Sequence, residues 1–178
     1  MSYLERAAHI SLIVASVIAS AVLLRDHLQS RSSAAVRQLD GSVISLPGVE
    51  WPPQRRTVVL AISSRCRFCK DSAGFYHSLT TNRGPGDFQV VVLSRDPAGE
   101  IDTFLTGNGI TVDRTIHDWP SRIGIAGTPT LLIVEPDGRV RNSFVGLLAP
   151  GEENKIRGIL LQTPGGVSQL VKAKRNAH

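Results

Sequence analysis

The chemistry of this chain is concentrated in two cysteines, Cys66 and Cys69, which are separated by two residues. Two thiols at this spacing at the start of a helix can close a small disulfide ring without rearrangement of the backbone. The first thiol then lies at the helix N-terminus, where free amides and the helix dipole favour the thiolate. We therefore predict that Cys66 is the attacking thiol and Cys69 the resolving thiol of a redox pair.

Three basic residues flank this pair: Arg65, Arg67 and Lys70. Positive charge close to a thiol favours its ionised form. We therefore expect these side chains to lower the pKa of Cys66 and to tune its reactivity.

A metal site is the main alternative use of such a pair, because Cys-x-x-Cys also forms one half of a zinc site. The chain has two cysteines, and its His77 and His117 lack the spacing of paired zinc ligands. The position of the pair between an apolar strand and a helix favours redox chemistry instead. We therefore predict no metal ligands and no cofactor other than the Cys66–Cys69 disulfide.

The second motif is Gly127-Thr128-Pro129-Thr130. A proline at the first position of a strand donates no ladder hydrogen bond, so the backbone beside it can stay open. If the Thr128–Pro129 bond is cis, this loop can lie against the cysteine pair and present the Thr128 backbone to an extended substrate. The alternative is a trans proline that only begins the strand. Beside a Cys-x-x-Cys motif we expect the cis form, and Thr128 and Pro129 are the predicted substrate-binding residues.

Hydrophobic patterning predicts the elements that position these motifs. Apolar runs predict buried strands at 57–62, 88–93 and 130–134, with a hairpin partner at 139–145. Helices are predicted from the cysteines to about residue 80, at 99–107 and at 150–161. Asp40-Gly41 predicts a hairpin between 36–39 and 43–46. Strands alternating with helices, followed by an antiparallel hairpin, predict an α/β sandwich with a mixed sheet.

Composition limits the class of protein. The 178 residues are 42% apolar and 20% charged, which excludes a disordered chain and allows one domain with an appendage. Only one stretch is apolar enough to cross a bilayer, which excludes a multi-pass membrane protein. The net charge of +5 is scattered along the chain, so we expect no nucleic-acid partner.

The apolar stretch runs from Ala7 to Leu24, and eighteen helical residues span roughly 27 Å. We predict that it is a single N-terminal transmembrane helix; a cleaved signal peptide, with Ala19-Ser20-Ala21 as the cleavage site, and a buried core helix are the alternatives. The predicted organisation is an anchor at 1–25, a linker at 26–35, a folded domain at 36–161 and a basic flexible tail at 162–178.

The orientation of this anchor receives two opposed indications. Three arginines follow the apolar stretch, whereas Arg6 and the terminal amine precede it, and the positive-inside rule alone then favours a cytoplasmic domain. Disulfide chemistry near a membrane favours the oxidising side. We follow the chemistry and predict an extracytoplasmic domain.

The stretches TVVLAISSRCRFCKDSAGFYHSL, FQVVVLSRD and IGIAGTPTLLIVEPDGRV resemble the thioredoxin-like superfamily. The resemblance covers about 36–161 and is greatest to membrane-anchored thiol-disulfide oxidoreductases of the bacterial envelope, including those of cytochrome c maturation. It implies a thioredoxin-like three-layer sandwich with a mixed central sheet. It also implies that Cys66 is the nucleophile, Cys69 the resolving thiol and Pro129 the cis-proline, preceded by Thr128.

Three positions depart from that family pattern. Arg65 stands where tryptophan usually precedes the first cysteine, which predicts a more cationic site entrance. Ser72 stands where the maturation reductases often carry glutamate, with Asp71 beside it. The dipeptide Arg67-Phe68 replaces the commoner Gly-Pro or Glu-Pro between the cysteines.

The function that we predict is disulfide exchange with partner proteins, with the reducing direction favoured by the resemblance. Its partners are proteins with thiols or disulfides and a membrane or soluble thiol donor of electrons, and residues 7–24 contact the membrane. Two alternatives remain open: a metallochaperone that holds Cu(I) between the two thiols, and a thiol peroxidase.

Overall fold

A computed structural model of the chain describes residues 39–84 and 86–162, together with Ser16 and Ser20. The chain divides into two compact units, Met1–Ala35 and Val36–His178, and the fold described below belongs to the second. Apart from the two serines, the predicted anchor and linker lie outside the described residues, as does the predicted tail after residue 162. Within the described part, no helix has both the length and the apolar character that a membrane span requires.

The described domain alternates strands and helices. Its strands are β1 (Arg56–Ala61), β2 (Phe88–Ser94), β3 (Arg114–His117), β4 (Thr130–Val134) and β5 (Val140–Val145). Its helices are α1 (Arg67–Asp71), α2 (Ala73–Thr81), α3 (Ala98–Gly107) and α4 (Pro150–Leu160), with a 3₁₀ turn at Pro120–Ile123.

The strands form one mixed sheet in the order β3-β2-β1-β4-β5. β1 is parallel to β2 and antiparallel to β4, and β2 is parallel to β3. Ala61, the last residue of β1, is in register with Leu93 and with Thr130. The loop that leaves β1 towards the cysteines therefore emerges between the end of β2 and the beginning of β4. The predicted mixed α/β sheet is confirmed.

The two faces of the sheet are covered differently. Val58 and Leu60 pack against α2, α3 and α4, whereas Val59 and Ala61 face Leu39, Leu46 and other residues of the segment before β1. The connections β1–α2–β2 and β2–α3–β3 both lead to the next strand on the same side of the sheet. Because such connections are right-handed, both helices lie on the same face of the sheet. The second outer layer is therefore built, in the described residues, from loops and the 3₁₀ turn.

Three local features differ from the sequence-based expectation. β3 is not predicted, because four residues with one buried side chain carry almost no periodic signal. Of the predicted hairpin at 36–46 the structure describes residues 39–46, where Val43 forms an isolated antiparallel bridge with Arg139 that was not predicted. The helix after the cysteines is divided at Ser72, whose N–H is shared between the carbonyls of Phe68 and Lys70.

Candidate active site

Cys66 lies where the chain turns from the sheet into a helix. It is the N-cap of α1, with extended backbone angles of φ −78° and ψ 120°, and its carbonyl accepts a hydrogen bond from Lys70 N–H at 3.2 Å. The Cys66 side chain is half-buried, whereas Cys69, one helical turn later, is fully buried. An incoming molecule therefore reaches the first sulfur before the second.

The Thr128–Pro129 loop lies directly against Cys66. The peptide bond between Thr128 and Pro129 is cis. The Cys66 thiol donates a hydrogen bond to the Thr128 carbonyl at 3.3 Å. The Pro129 carbonyl accepts from Gly146 N–H at 2.8 Å, which ties this loop to the end of β5. The fold thus brings together two motifs that lie about sixty residues apart in the sequence.

The two thiols have opposed acidities. Burial opposes ionisation of the Cys66 thiol, but hydrogen bonds from the Cys69 and Thr128 side chains and from the Cys69 and Phe68 amides outweigh it, so its pKa lies below the ordinary value. Burial raises the pKa of Cys69 to about 12. The accessible sulfur is therefore the one that ionises first as the pH rises, and the enclosed sulfur keeps its proton at neutral pH.

This difference predicts the pH dependence of alkylation. The rate at which iodoacetamide modifies Cys66 should rise with pH and level off below the pH at which an ordinary thiol does so, because the thiolate is the reacting species. Cys69 should stay unmodified across that range. Mass spectrometry of the reduced chain, digested after timed alkylation, measures both rates. Equal rates at the two cysteines, or a Cys66 midpoint above that of a free cysteine peptide, would contradict the assignment.

The three basic residues near the pair have different surroundings. Arg65 forms a two-point ion pair with Glu100, with Nη2–Oε1 at 2.8 Å and Nε–Oε2 at 3.1 Å. The exposed Arg67 lies 3.9 Å from the carboxylate of Asp71, and Lys70 is exposed. Much of the Arg65 charge is therefore directed at Glu100. The tuning of Cys66 by these residues stays a prediction.

Asp96 is a residue of the site that the sequence analysis missed. Its carboxylate accepts hydrogen bonds from the Ser63 hydroxyl at 3.0 Å and from the Ser64 N–H. Partial burial opposes ionisation of this carboxyl, but the bonds from Ser64 and Ser63 and the charge of Arg65 hold its pKa below the usual value. Asp96 therefore fastens the loop that leads into Cys66. Asp96 follows β2, which is parallel to β1, and parallel strands end at the same edge of the sheet. This position in the sequence is the signal that could have predicted its proximity to Cys66.

A groove of about 490 Å³ runs beside the loops that carry these residues. Arg95 and Trp119 both line it, and the Arg95 guanidinium lies 3.2 Å from the centroid of the Trp119 ring. Thr128 also lines this groove, and its carbonyl accepts the hydrogen bond from the Cys66 thiol. The groove therefore lies next to that thiol. The full lining is Ile62, Ser63, Arg65, Arg95, Asp96, Pro97, Trp119, Pro120, Ser121, Ile125, Ala126, Gly127 and Thr128.

The two histidines considered at the sequence level lie in different places. His117 ends β3, and its Nδ1 lies 3.4 Å from the Asp96 carbonyl at the edge of the site. His77 lies on α2, where its Nδ1 is 2.8 Å from the Gly109 carbonyl. Within residues 39–84 and 86–162, no group of three or more His, Cys, Asp and Glu side chains is arranged to hold a metal ion.

Comparison with known proteins places this fold in a class. Neither a protein-family model nor a curated protein sequence matches the chain. Solved structures do match, at identities that show the fold alone. The domain has the thioredoxin-like α/β fold.

Three of these structures represent the match, and two of them are thiol-disulfide proteins by description. A thiol-disulfide isomerase from Corynebacterium glutamicum has a TM-score of 0.54 and 16% identity, over 70% of this chain and 94% of its own. A protein assigned as the thiol:disulfide interchange protein DsbE from Chlorobium tepidum has a TM-score of 0.50 and 20% identity, over 62% and 82%. MTB dsbF, in its mixed oxidised and reduced forms, has a TM-score of 0.50 and 16% identity, over 60% and 81%.

Proposed function

We propose that this protein is a thiol-disulfide oxidoreductase that exchanges disulfides with partner proteins through Cys66 and Cys69. The observation that carries the proposal is the arrangement of the two sulfurs. A half-buried thiol of lowered pKa lies 3.3 Å from the carbonyl that precedes the cis-proline, and a second thiol is enclosed one helical turn behind it. The descriptions of the structural neighbours as isomerase and interchange proteins support the same chemistry.

The exchange follows from which sulfur is ionised. The Cys66 thiolate attacks one sulfur of a target disulfide, the target S–S bond breaks, and its other sulfur leaves as a thiolate. Cys69 then gives up its proton and attacks the Cys66 sulfur, which releases the second target sulfur. Two electrons pass from the dithiol to the target, and the Cys69 proton goes to a departing thiolate. The Cys66–Cys69 disulfide is left behind.

The Thr128–Pro129 loop is the proposed platform for the target chain. The Thr128 carbonyl oxygen lies 3.3 Å from the Cys66 sulfur, so the backbone of this loop is in contact with the reacting atom. An extended target segment that pairs with the Thr128 main chain places its own disulfide beside Cys66. We propose Thr128 and Pro129 as the substrate-binding residues on this ground.

The proposed direction is reduction of the target, with a separate thiol carrier returning the protein to its dithiol form. We place the reaction on the extracytoplasmic side of a membrane, with residues 7–24 as the anchor. The apolar character of that stretch and the need of protein disulfides for an oxidising compartment support this placement. Thiol partners of cytochrome c maturation are the proposed class of target.

The reduction potential of the Cys66–Cys69 pair tests the proposal. The full chain is equilibrated against thiol buffers of set potential, quenched by alkylation and read by mass spectrometry. We expect a reversible intramolecular disulfide with a potential of about −250 mV or lower, which marks a reductant, whereas about −120 mV marks an oxidant. Failure to form that disulfide, together with tight binding of one Cu(I) by the reduced chain, would replace the proposal with the metallochaperone.

A further inference from the structure

The groove beside Cys66 contains a cation, Arg95, that is stacked on an aromatic ring. The Arg95 guanidinium lies 3.2 Å from the centre of the Trp119 ring, and both residues are exposed. In the part of the chain that the structure describes, no carboxylate forms an ion pair with Arg95. A guanidinium stacked on an aromatic face keeps its N–H edges available to a ligand.

The acidic residues near this groove are occupied in other contacts. Asp96 accepts hydrogen bonds from the Ser63 hydroxyl and the Ser64 N–H. Glu100 pairs with Arg65 through both of its oxygens. These carboxylates are therefore turned towards the loop before Cys66. Asp96 keeps its negative charge on the side of the groove next to that loop, and Arg95 is the groove cation that has no carboxylate partner among the described residues.

We infer that this groove receives the part of the target polypeptide next to its reacting cysteine, and that Arg95 on Trp119 selects an acidic side chain there. The inference rests on the proposed function. Thr128 connects the groove to the chemistry, because its carbonyl lies 3.3 Å from the Cys66 sulfur and the residue lines the groove. A carboxylate can accept two parallel hydrogen bonds from the planar edge of a guanidinium. An acidic residue of the target polypeptide, a short distance from its disulfide, supplies that carboxylate.

Two peptide disulfides, each reacted separately with the protein, test this selection. Two short peptides are prepared as disulfide dimers that are identical except for glutamate or glutamine two residues from the cysteine. The reduced full chain is mixed with each, and the single-turnover rate of peptide reduction is followed by chromatography. We expect the glutamate peptide to react about fivefold faster at low salt, the discrimination of an exposed charge pair. The preference should shrink in 1 M salt, where screening acts over about 3 Å.

Two arginine variants and a charge-matched control assign the preference. Arg95→Gln should bring the ratio of the two rates close to one, and Arg95→Lys should restore part of it, because lysine keeps the charge but lacks the planar fork. The control Lys155→Gln removes the same charge from α4, where Lys155 lies 5.7 Å from the Phe144 ring and outside the groove, and should keep the ratio.

The outcomes separate this inference from the proposed function. Equal rates for the two peptides in the unaltered chain, or a ratio that survives Arg95→Gln, would overturn the selection while exchange itself stands. Reduction of neither peptide would overturn the proposed function, and the selection with it. A ratio that falls equally in Lys155→Gln would assign the preference to net charge and remove it from Arg95.

Discussion

Replacing Cys66 with serine is expected to lower the rate of disulfide exchange by about a thousandfold or more, since a serine hydroxyl does not ionise at neutral pH and cannot act as the nucleophile. The structure supports so large an effect because the other thiol is fully buried and its pKa is about 12. Exchange is measured with the reduced full chain and a peptide disulfide.

Replacing Cys69 with serine should have a different consequence. Cys66 can still attack a target, but no second sulfur releases the product, so mixed disulfides with partner proteins accumulate. Non-reducing electrophoresis and mass spectrometry of the trapped species detect them in cells. The double variant, which lacks both sulfurs, is the control and should trap nothing. Trapping by Cys66→Ser in place of Cys69→Ser would reverse the assigned roles.

The second large effect concerns stability at the far end of β1. The Arg56 guanidinium is 2% exposed, lies 2.9 Å from the Glu135 carboxylate and donates to the Ile159 carbonyl at 2.6 Å. Arg141 also bonds to Glu135, at 3.0 Å. Glu135→Ala removes the carboxylate from a buried guanidinium, and we expect the free energy of unfolding to fall by about 2–3 kcal/mol.

Asp137→Ala is a matched control for that change. Asp137 lies two residues along the same turn, and its ion pair with Arg139, at 3.6 Å, is exposed on both sides. An exposed pair contributes about 0–1 kcal/mol, so this variant should unfold at nearly the same urea concentration as the unaltered chain. Urea titration of the three proteins measures the difference. Equal midpoints for the two variants would show that the buried network adds no stability.

Local sequence signals predicted the centre of this fold well. The runs TVVLAI, FQVVVL and TLLIV are β-rich and almost wholly apolar, and each lies within one residue of a strand that is buried on both faces. The Cys66 position at the start of a helix and the cis bond before Pro129 were predicted and are present. The strands and the Cys66 position depend on neighbouring residues, which the sequence displays directly, whereas the cis bond was expected from the presence of both motifs in one chain.

The features that were missed depend on residues far apart in the chain. β3 is a strand because β2 offers it a free edge, although only Ile116 among its four residues is buried. Val43 pairs with Arg139, nearly one hundred residues away in the sequence. A turn signal such as Asp40-Gly41 indicates a change of direction but does not indicate the strand that the chain then meets.

By itself, the sequence determined the α/β class, the three central strands and the identity of the two sulfurs, because burial patterns and a Cys-x-x-Cys spacing are local properties. Only the tertiary structure decided how the site is surrounded. It paired Arg65 with Glu100, fastened the Cys66 loop to Asp96 and stacked Arg95 on Trp119. These contacts arise where parallel strands end at the same edge of the sheet, and the distances between side chains there follow from the packing of the whole domain.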